Sequence, residues 1–127
     1  MELTQIVPPG RQIIERYGPG GFRVSGTVYR GPVLVFPDRT IEWIGAAMTV
    51  AGLAPIVEHG PIVEPGGIEL LLLGFGRHMQ PVGAALRTVL KAAGIALEPM
   101  DTGAACRTYN LLIGEDRRVA AALLPPV

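Results

Sequence analysis

Three apolar runs separated by two segments of helical periodicity dominate the second half of the chain. The runs at Ile68–Leu73, Ile95–Met100 and Val119–Leu124 have the length and continuity of strands buried on both faces of a parallel sheet. Between them, apolar residues recur at helical spacing over residues 81–93 and again over residues 102–113. The pattern predicts strand, helix, strand, helix, strand.

Shorter segments in the first half predict three more strands and one helix. Strict alternation over residues 22–28 is typical of a strand with one buried face, and a turn at Gly31-Pro32 leads into a buried strand at residues 33–36. We expect these two strands to form a hairpin. A short strand follows at residues 41–44, and a helix spans about residues 49–59 with its internal proline in the first turn.

Proline and glycine residues, which break helices and strands, mark the limits of the predicted elements. Residues 1–19 contain Pro8-Pro9-Gly10 and further turn residues, so they predict an N-terminal arm, and Pro61–Gly67 predicts a loop after a helix stop at Gly60. Two successive strand–helix–strand units require right-handed crossovers in one sheet. The chain is therefore predicted to form a single α/β domain over residues 1–127, with three layers and a mixed, mostly parallel central sheet.

Composition limits the function classes. Eleven basic residues balance eleven acidic ones, and 49% of residues are apolar, so neither nucleic acid nor an anionic membrane surface attracts the chain. Low charge favours association with a protein partner or with further copies of the chain. The first ten residues lack a secretory signal, and the run Leu70–Leu73 is far too short to span a bilayer. We expect a cytoplasmic protein without membrane insertion.

The loop after the first parallel strand carries one candidate site. Gly74-Phe75-Gly76 follows a strand and precedes a helix, where open α/β sheets bind ligands. Met79 stands where a dinucleotide-binding motif has its third glycine, which disfavours a dinucleotide. Two interpretations remain: the glycines let the chain turn sharply beneath a neighbouring loop, or they cradle a small anion. Arg77 of the same loop could contact a protein partner.

The corner between the second parallel strand and its helix gathers the unusual polar residues. Thr102 is the predicted N-cap, directly after Asp101. A lone Cys106 beside alanines is typical of a buried small residue, and the alternative is a nucleophile paired with His78. His and Cys show no metal-ligand spacing, so the sequence predicts no metal and no cofactor.

Three further residues of that helix have two interpretations. Arg107 and Asn110 share one helix face and could tie the helix to the preceding loop near Asp101 or Gly76. Alternatively, Arg107 recognises a carboxylate or phosphate at the strand ends. Tyr109 lies roughly opposite Arg107 and could contact a partner.

Residues along nearly the whole chain resemble one family. They include Tyr17-Gly18, Trp43, the Leu70–Gly76 segment, Asp101-Thr102, Cys106–Asn110 and Arg118–Pro125. The chain resembles the domain-of-unknown-function family that contains a mitochondrial respiratory complex I assembly factor, an adipogenesis-associated cytosolic protein and prokaryotic relatives. The resemblance implies a three-layer α/β fold with a mixed sheet, no established catalytic residues, and binding to other proteins during complex assembly. Phe75 departs from the small polar residue of relatives, which disfavours a phosphate-cradling loop.

Two functional hypotheses follow. The first is a non-enzymatic protein-binding module, an assembly or accessory factor for a respiratory membrane complex. The second is an anion-binding protein or an enzyme that uses the crevice at the strand ends. Both place the site in the same two loops, whose candidate binding residues are Gly74, Gly76, Arg77, Asp101, Thr102, Cys106, Arg107, Tyr109 and Asn110.

Overall fold

The computed structural model describes residues 9–59 and 67–126, which form eight strands and three helices. The strands are β1 (Ile14–Gly18), β2 (Gly21–Val24), β3 (Thr27–Tyr29), β4 (Val33–Val35), β5 (Thr40–Glu42), β6 (Leu70–Gly74), β7 (Ala96–Met100) and β8 (Val119–Leu123). The helices are α1 (Ala54–His59), α2 (Ala84–Ala92) and α3 (Thr102–Gly114).

A five-stranded mixed sheet in the order β5-β4-β8-β6-β7 forms the centre of the molecule. β6 runs parallel to both β7 and β8, and β4 is antiparallel to β8 and β5. This confirms the predicted β6-α2-β7-α3-β8 unit and its mixed sheet. The carboxyl ends of the three parallel strands meet at one edge, where the candidate loops leave the sheet.

Alternate residues of the central strands face two separate cores, as the period of a strand requires. Leu71 and Leu73 of β6 pack with α1 and α2, whereas Leu72 packs on the opposite side with α3. A second, three-stranded sheet in the order β1-β2-β3 shares that side with α3. The predicted three-layer α/β fold is confirmed.

The helix starts differ from the predictions in detail. Asp101, not Thr102, caps α3, because its backbone is extended and its carboxylate accepts a hydrogen bond from the Ala104 N–H at 2.9 Å. α2 begins at Ala84, three residues after Pro81, because Gly83 has an extended backbone and is the N-cap.

The hairpin predicted from residues 22–28 and 33–36 is wrong in its pairing. Residues 22–28 contain two strands, because Ser25 and Gly26 have φ angles of +44° and +85° and turn the chain between β2 and β3. β4 instead enters the five-stranded sheet between β5 and β8.

Part of the predicted N-terminal arm is a strand. β1 pairs antiparallel with β2, and its Ile14 and Tyr17 are buried in the core. Residues 1–8 lie outside the described residues, as do the predicted helix stop at Gly60 and residues 61–66 of the predicted loop.

Candidate functional site

Hydrogen bonds connect the carboxyl ends of β6, β7 and β8 across the predicted crevice. They are made by backbone groups and by the Thr102 hydroxyl. The Thr102 hydroxyl accepts a hydrogen bond from the Gly76 N–H at 2.8 Å and donates one to the Leu124 carbonyl. The Thr102 N–H in turn donates to the Gly76 carbonyl at 2.8 Å, and the Phe75 N–H donates to the Met100 carbonyl at 3.0 Å. The Phe75 and Gly76 N–H groups, which a phosphate would need, are therefore already bonded within the protein.

Steric contact explains the two glycines of this loop. A Cβ atom on Gly74 would lie 2.9 Å from Leu123 Cδ2 and 3.1 Å from the Cα of Thr102, which leaves no room for a side chain. Gly76 has a φ of +89°, which L side chains rarely adopt. The geometry supports the interpretation that these glycines let the chain turn closely beneath α3.

Cys106 does not have the environment of a nucleophile. Its side chain is fully buried, and burial raises the pKa of the thiol to about 12, although the positive charge of Arg107 acts in the opposite direction. His78, the proposed base, lies exposed in the loop after β6. A protonated, inaccessible thiol and an exposed imidazole do not form a catalytic pair.

The buried Asn110 side chain makes the predicted tertiary hydrogen bonds, but its partner is not the loop near Asp101 or Gly76. Its side-chain oxygen accepts a hydrogen bond from the Ile14 N–H at 3.0 Å, and its side-chain nitrogen donates to the Ile14 carbonyl at 2.8 Å. The amide therefore occupies the edge of β1 as a neighbouring strand would. The Asn110 side chain therefore fixes the three-stranded sheet β1-β2-β3 to α3.

Tyr109 is buried as well, so a role in contacting a partner does not fit its position. Its ring is fully enclosed, and its hydroxyl lies 3.1 Å from the Gln12 carbonyl and 3.3 Å from the Phe36 carbonyl. Burial raises the pKa of this phenol above its usual range. The side chain joins α3 to the segments before β1 and after β4.

Arg107 and Arg77 keep exposed side chains. Arg107 Nη1 donates a hydrogen bond to the Tyr17 hydroxyl at 3.0 Å, and the Tyr17 ring lies against Gly103, where a Cβ atom would be 2.9 Å from the hydroxyl oxygen. The contact positions the guanidinium while it stays open to solvent. A binding role for Arg77 and Arg107 stays a prediction.

Tyr17 carries part of the family resemblance, but it is the residue of this corner that the predicted site did not include. It lies 90 residues from Arg107 along the chain and among breakers that predicted an arm. The only local signal is Glu15-Arg16-Tyr17 directly before Gly18-Pro19-Gly20-Gly21, a segment of strand type before a tight turn.

Within residues 9–59 and 67–126, no group of three His, Cys, Asp or Glu side chains is arranged to hold a metal ion. No helix in the same ranges is long and apolar enough to cross a bilayer.

Comparison with known proteins gives concordant matches. The sequence model of a family described as "Protein of unknown function (DUF498/DUF598)" matches residues 14–124. An uncharacterized protein of Rhodobacter capsulatus is 39% identical over 88% of this chain and 83% of its own length. NADH dehydrogenase (ubiquinone) 1 alpha subcomplex assembly factor 3 of Danio rerio is 36% identical over 90% of this chain, which spans 64% of that protein. A crystal structure described as an outer membrane protein from Bartonella henselae superposes with a TM-score of 0.80 at 36% identity, covering 94% of this chain and 98% of that one.

Proposed function

This chain belongs to the DUF498/DUF598 family of proteins of unknown function, and from that premise we propose that it is a non-enzymatic protein-binding module that assists assembly of a respiratory membrane complex. The observation that carries the proposal is the similarity, over 90% of the chain, to a protein named as an assembly factor for NADH dehydrogenase. It acts in the cytoplasm on subunits of such a complex, alone or as a homo-oligomer.

The chemistry of the candidate site supports binding over turnover. The crevice at the strand ends is filled by the chain's own hydrogen bonds through Thr102, and the single cysteine is a buried, protonated thiol. The exposed residues of the loop after β6 and of α3 include Arg77 and Arg107, and arginines are frequent anchors of protein interfaces. Arg107, held by the Tyr17 hydroxyl, is the residue we expect to contact the partner.

Deletion of the gene in its native host tests the proposal. We expect the amount of fully assembled NADH dehydrogenase, measured on native gels of isolated membranes, to fall, together with NADH-dependent quinone reduction. Expression of the unaltered chain should restore both. An unchanged amount of assembled complex in the deletion strain would contradict the proposal.

Complementation with matched variants tests the site. Arg107→Ala should restore less assembled complex than Arg87→Ala, which removes an exposed arginine from α2. A tagged chain should co-purify NADH dehydrogenase subunits, and Arg107→Ala should recover fewer of them. Equal recovery with both variants would remove Arg107 from the binding surface.

A further inference from the structure

The helix α3 does not itself explain why its second residue is glycine. The backbone of Gly103 is helical, so no turn requires glycine there, and glycine is a poor helix former. A Cβ atom at this position would lie 2.9 Å from the Tyr17 hydroxyl oxygen and 3.2 Å from Arg107 Nη1. The missing side chain therefore makes room for the contact between Tyr17 and Arg107.

The small sheet β1-β2-β3 supplies a fixed acceptor for the Arg107 guanidinium. Tyr17 of β1 is 8% exposed, pairs with Phe22 across the strands and belongs to the same core as α3. Arg107 Nη1 donates a hydrogen bond to its hydroxyl at 3.0 Å. Because a phenol is neutral at physiological pH, this contact orients the guanidinium without cancelling its charge.

The surroundings of Arg107 differ from those of the arginines that form ion pairs. Within residues 9–59 and 67–126, no carboxylate pairs with Arg107 and no acceptor other than the Tyr17 hydroxyl is bonded to it. Asp101, the nearest acidic residue along the chain, accepts its hydrogen bond from the Ala104 N–H instead. Arginines beside carboxylates include Arg11, Arg23, Arg39, Arg117 and Arg118.

The side of the guanidinium that stays open has the geometry of a carboxylate-binding fork. Donation from Nη1 leaves the Nε–H and one Nη2–H of Arg107 parallel to each other, and such a pair fits both oxygens of one carboxylate. The side chain is exposed, so a partner can reach this edge. Since the Tyr17 contact already restricts a long side chain, binding loses less conformational entropy than at an unrestrained arginine.

We propose that Arg107 binds a carboxylate of the protein partner through its Nε–Nη2 edge, and that Tyr17 is the positioning residue that orients it; this inference rests on the proposed function as a protein-binding module. Protein partners present carboxylates on aspartate, on glutamate and at the chain end. Gly103 supplies the space that the contact needs. Recognition therefore requires β1 to lie against α3, where the Asn110 side chain holds it.

Titration of the full chain with sodium acetate tests the carboxylate preference. Nitrogen-15 NMR follows the Nε–H signals of Arg107 and Arg87 while acetate replaces chloride at constant ionic strength. The Arg107→Lys spectrum lacks one of these signals and so assigns it. We expect acetate to shift the Arg107 signal further than that of Arg87, and Tyr17→Phe to reduce this difference. Equal shifts of the two signals would overturn the inference.

Capture of NADH dehydrogenase subunits by the tagged chain measures the same contact with the partner. Tyr17→Phe should weaken capture about threefold to tenfold, because the guanidinium loses its restraint. Arg107→Lys keeps the charge but lacks the fork, so it should weaken capture at least as much, whereas Arg87→Lys should leave it unchanged. Gly103→Ala should act in the same direction as Tyr17→Phe, and thermal unfolding of each variant is the control for folding.

A double variant separates positioning from a merely structural role of Tyr17. If Tyr17 acts through Arg107, Tyr17→Phe should cause no further loss of capture in a chain that already carries Arg107→Lys. A loss in the double variant equal to the product of the two single losses would overturn the positioning role.

The outcomes also separate this inference from the proposed function. If acetate does not select Arg107 while the deletion strain still loses assembled NADH dehydrogenase, only the carboxylate-binding arginine is wrong. If acetate selects Arg107 through Tyr17 and the deletion strain assembles the complex normally, the proposed assembly role is wrong.

Discussion

Substitution of Asn110 by leucine tests how the small sheet is held to the rest of the molecule. Leucine has the same number of side-chain heavy atoms and a larger volume, so the change removes two hydrogen bonds to Ile14 without opening a cavity. The Ile14 N–H and carbonyl, both buried, would lose their partner, at a cost of about 1–3 kcal/mol each. Better helix propensity and added apolar burial return roughly 1–2 kcal/mol.

The net destabilisation should therefore be about 3 kcal/mol, which corresponds to a fall in melting temperature of about 10 °C for a domain of this length. Urea unfolding followed by circular dichroism measures the free energy, and amide exchange at Ile14 should accelerate. Leu111→Asn is the matched control, because Leu111 is 54% exposed on the same helix and its replacement should cost no more than about 1 kcal/mol, through helix propensity and the lost apolar burial. An Asn110→Leu protein that melts within about 1 °C of the unaltered chain would refute the reasoning.

The remaining predictions concern the strand ends and the thiol. Gly74→Ala should lower the free energy of unfolding in urea by about 1–3 kcal/mol, because its Cβ would press on Leu123 and Thr102, whereas Gly18→Ala should leave it unchanged or slightly raised. Cys106 should resist Ellman's reagent at pH 8 in the native protein and react fully in denaturant. Because the folded pKa of Cys106 is about 12 and the usual pKa of the thiol is 9.0, the stability it contributes is complete below pH 9 and is lost as pH rises toward 12, and Cys106→Ala should remove that dependence.

The sequence predicts secondary structure best where a single apolar run corresponds to a single strand. Leu70–Gly74 and Val119–Leu123 are covered on both faces, so their continuous apolar character is sufficient to predict buried parallel strands. The segment at residues 22–28 is ambiguous by contrast, because alternation is the same for one strand as for two that meet at a tight turn. The positive φ angles of Ser25 and Gly26 separate the two cases, and such an angle is uncommon for serine.

The candidate site shows the same limit at the level of single side chains. A mid-helix asparagine predicts a buried hydrogen-bond partner, and Asn110 has one, but that partner is 96 residues away in a strand hidden among breakers. The sequence left open a nucleophilic Cys106, whereas desolvation by packing against the central sheet raises the pKa of its thiol. Both outcomes depend on long-range packing, which local pattern does not encode.

The position of β8 in the central sheet has a consequence for the order of folding. β8 lies between β4 and β6, so the pairs β5-β4 and β6-β7 are joined in the sheet only through it, although it follows them all in the chain. During synthesis, β4 and β6 each lack one neighbouring strand until residues 119–123 have left the ribosome. The ladder between β4 and β8 closes a loop of more than 80 residues, and such non-local pairing slows folding. Until then, the edges of β4 and β6 that β8 covers are unpaired, and unpaired edges of apolar strands in a nascent chain promote aggregation.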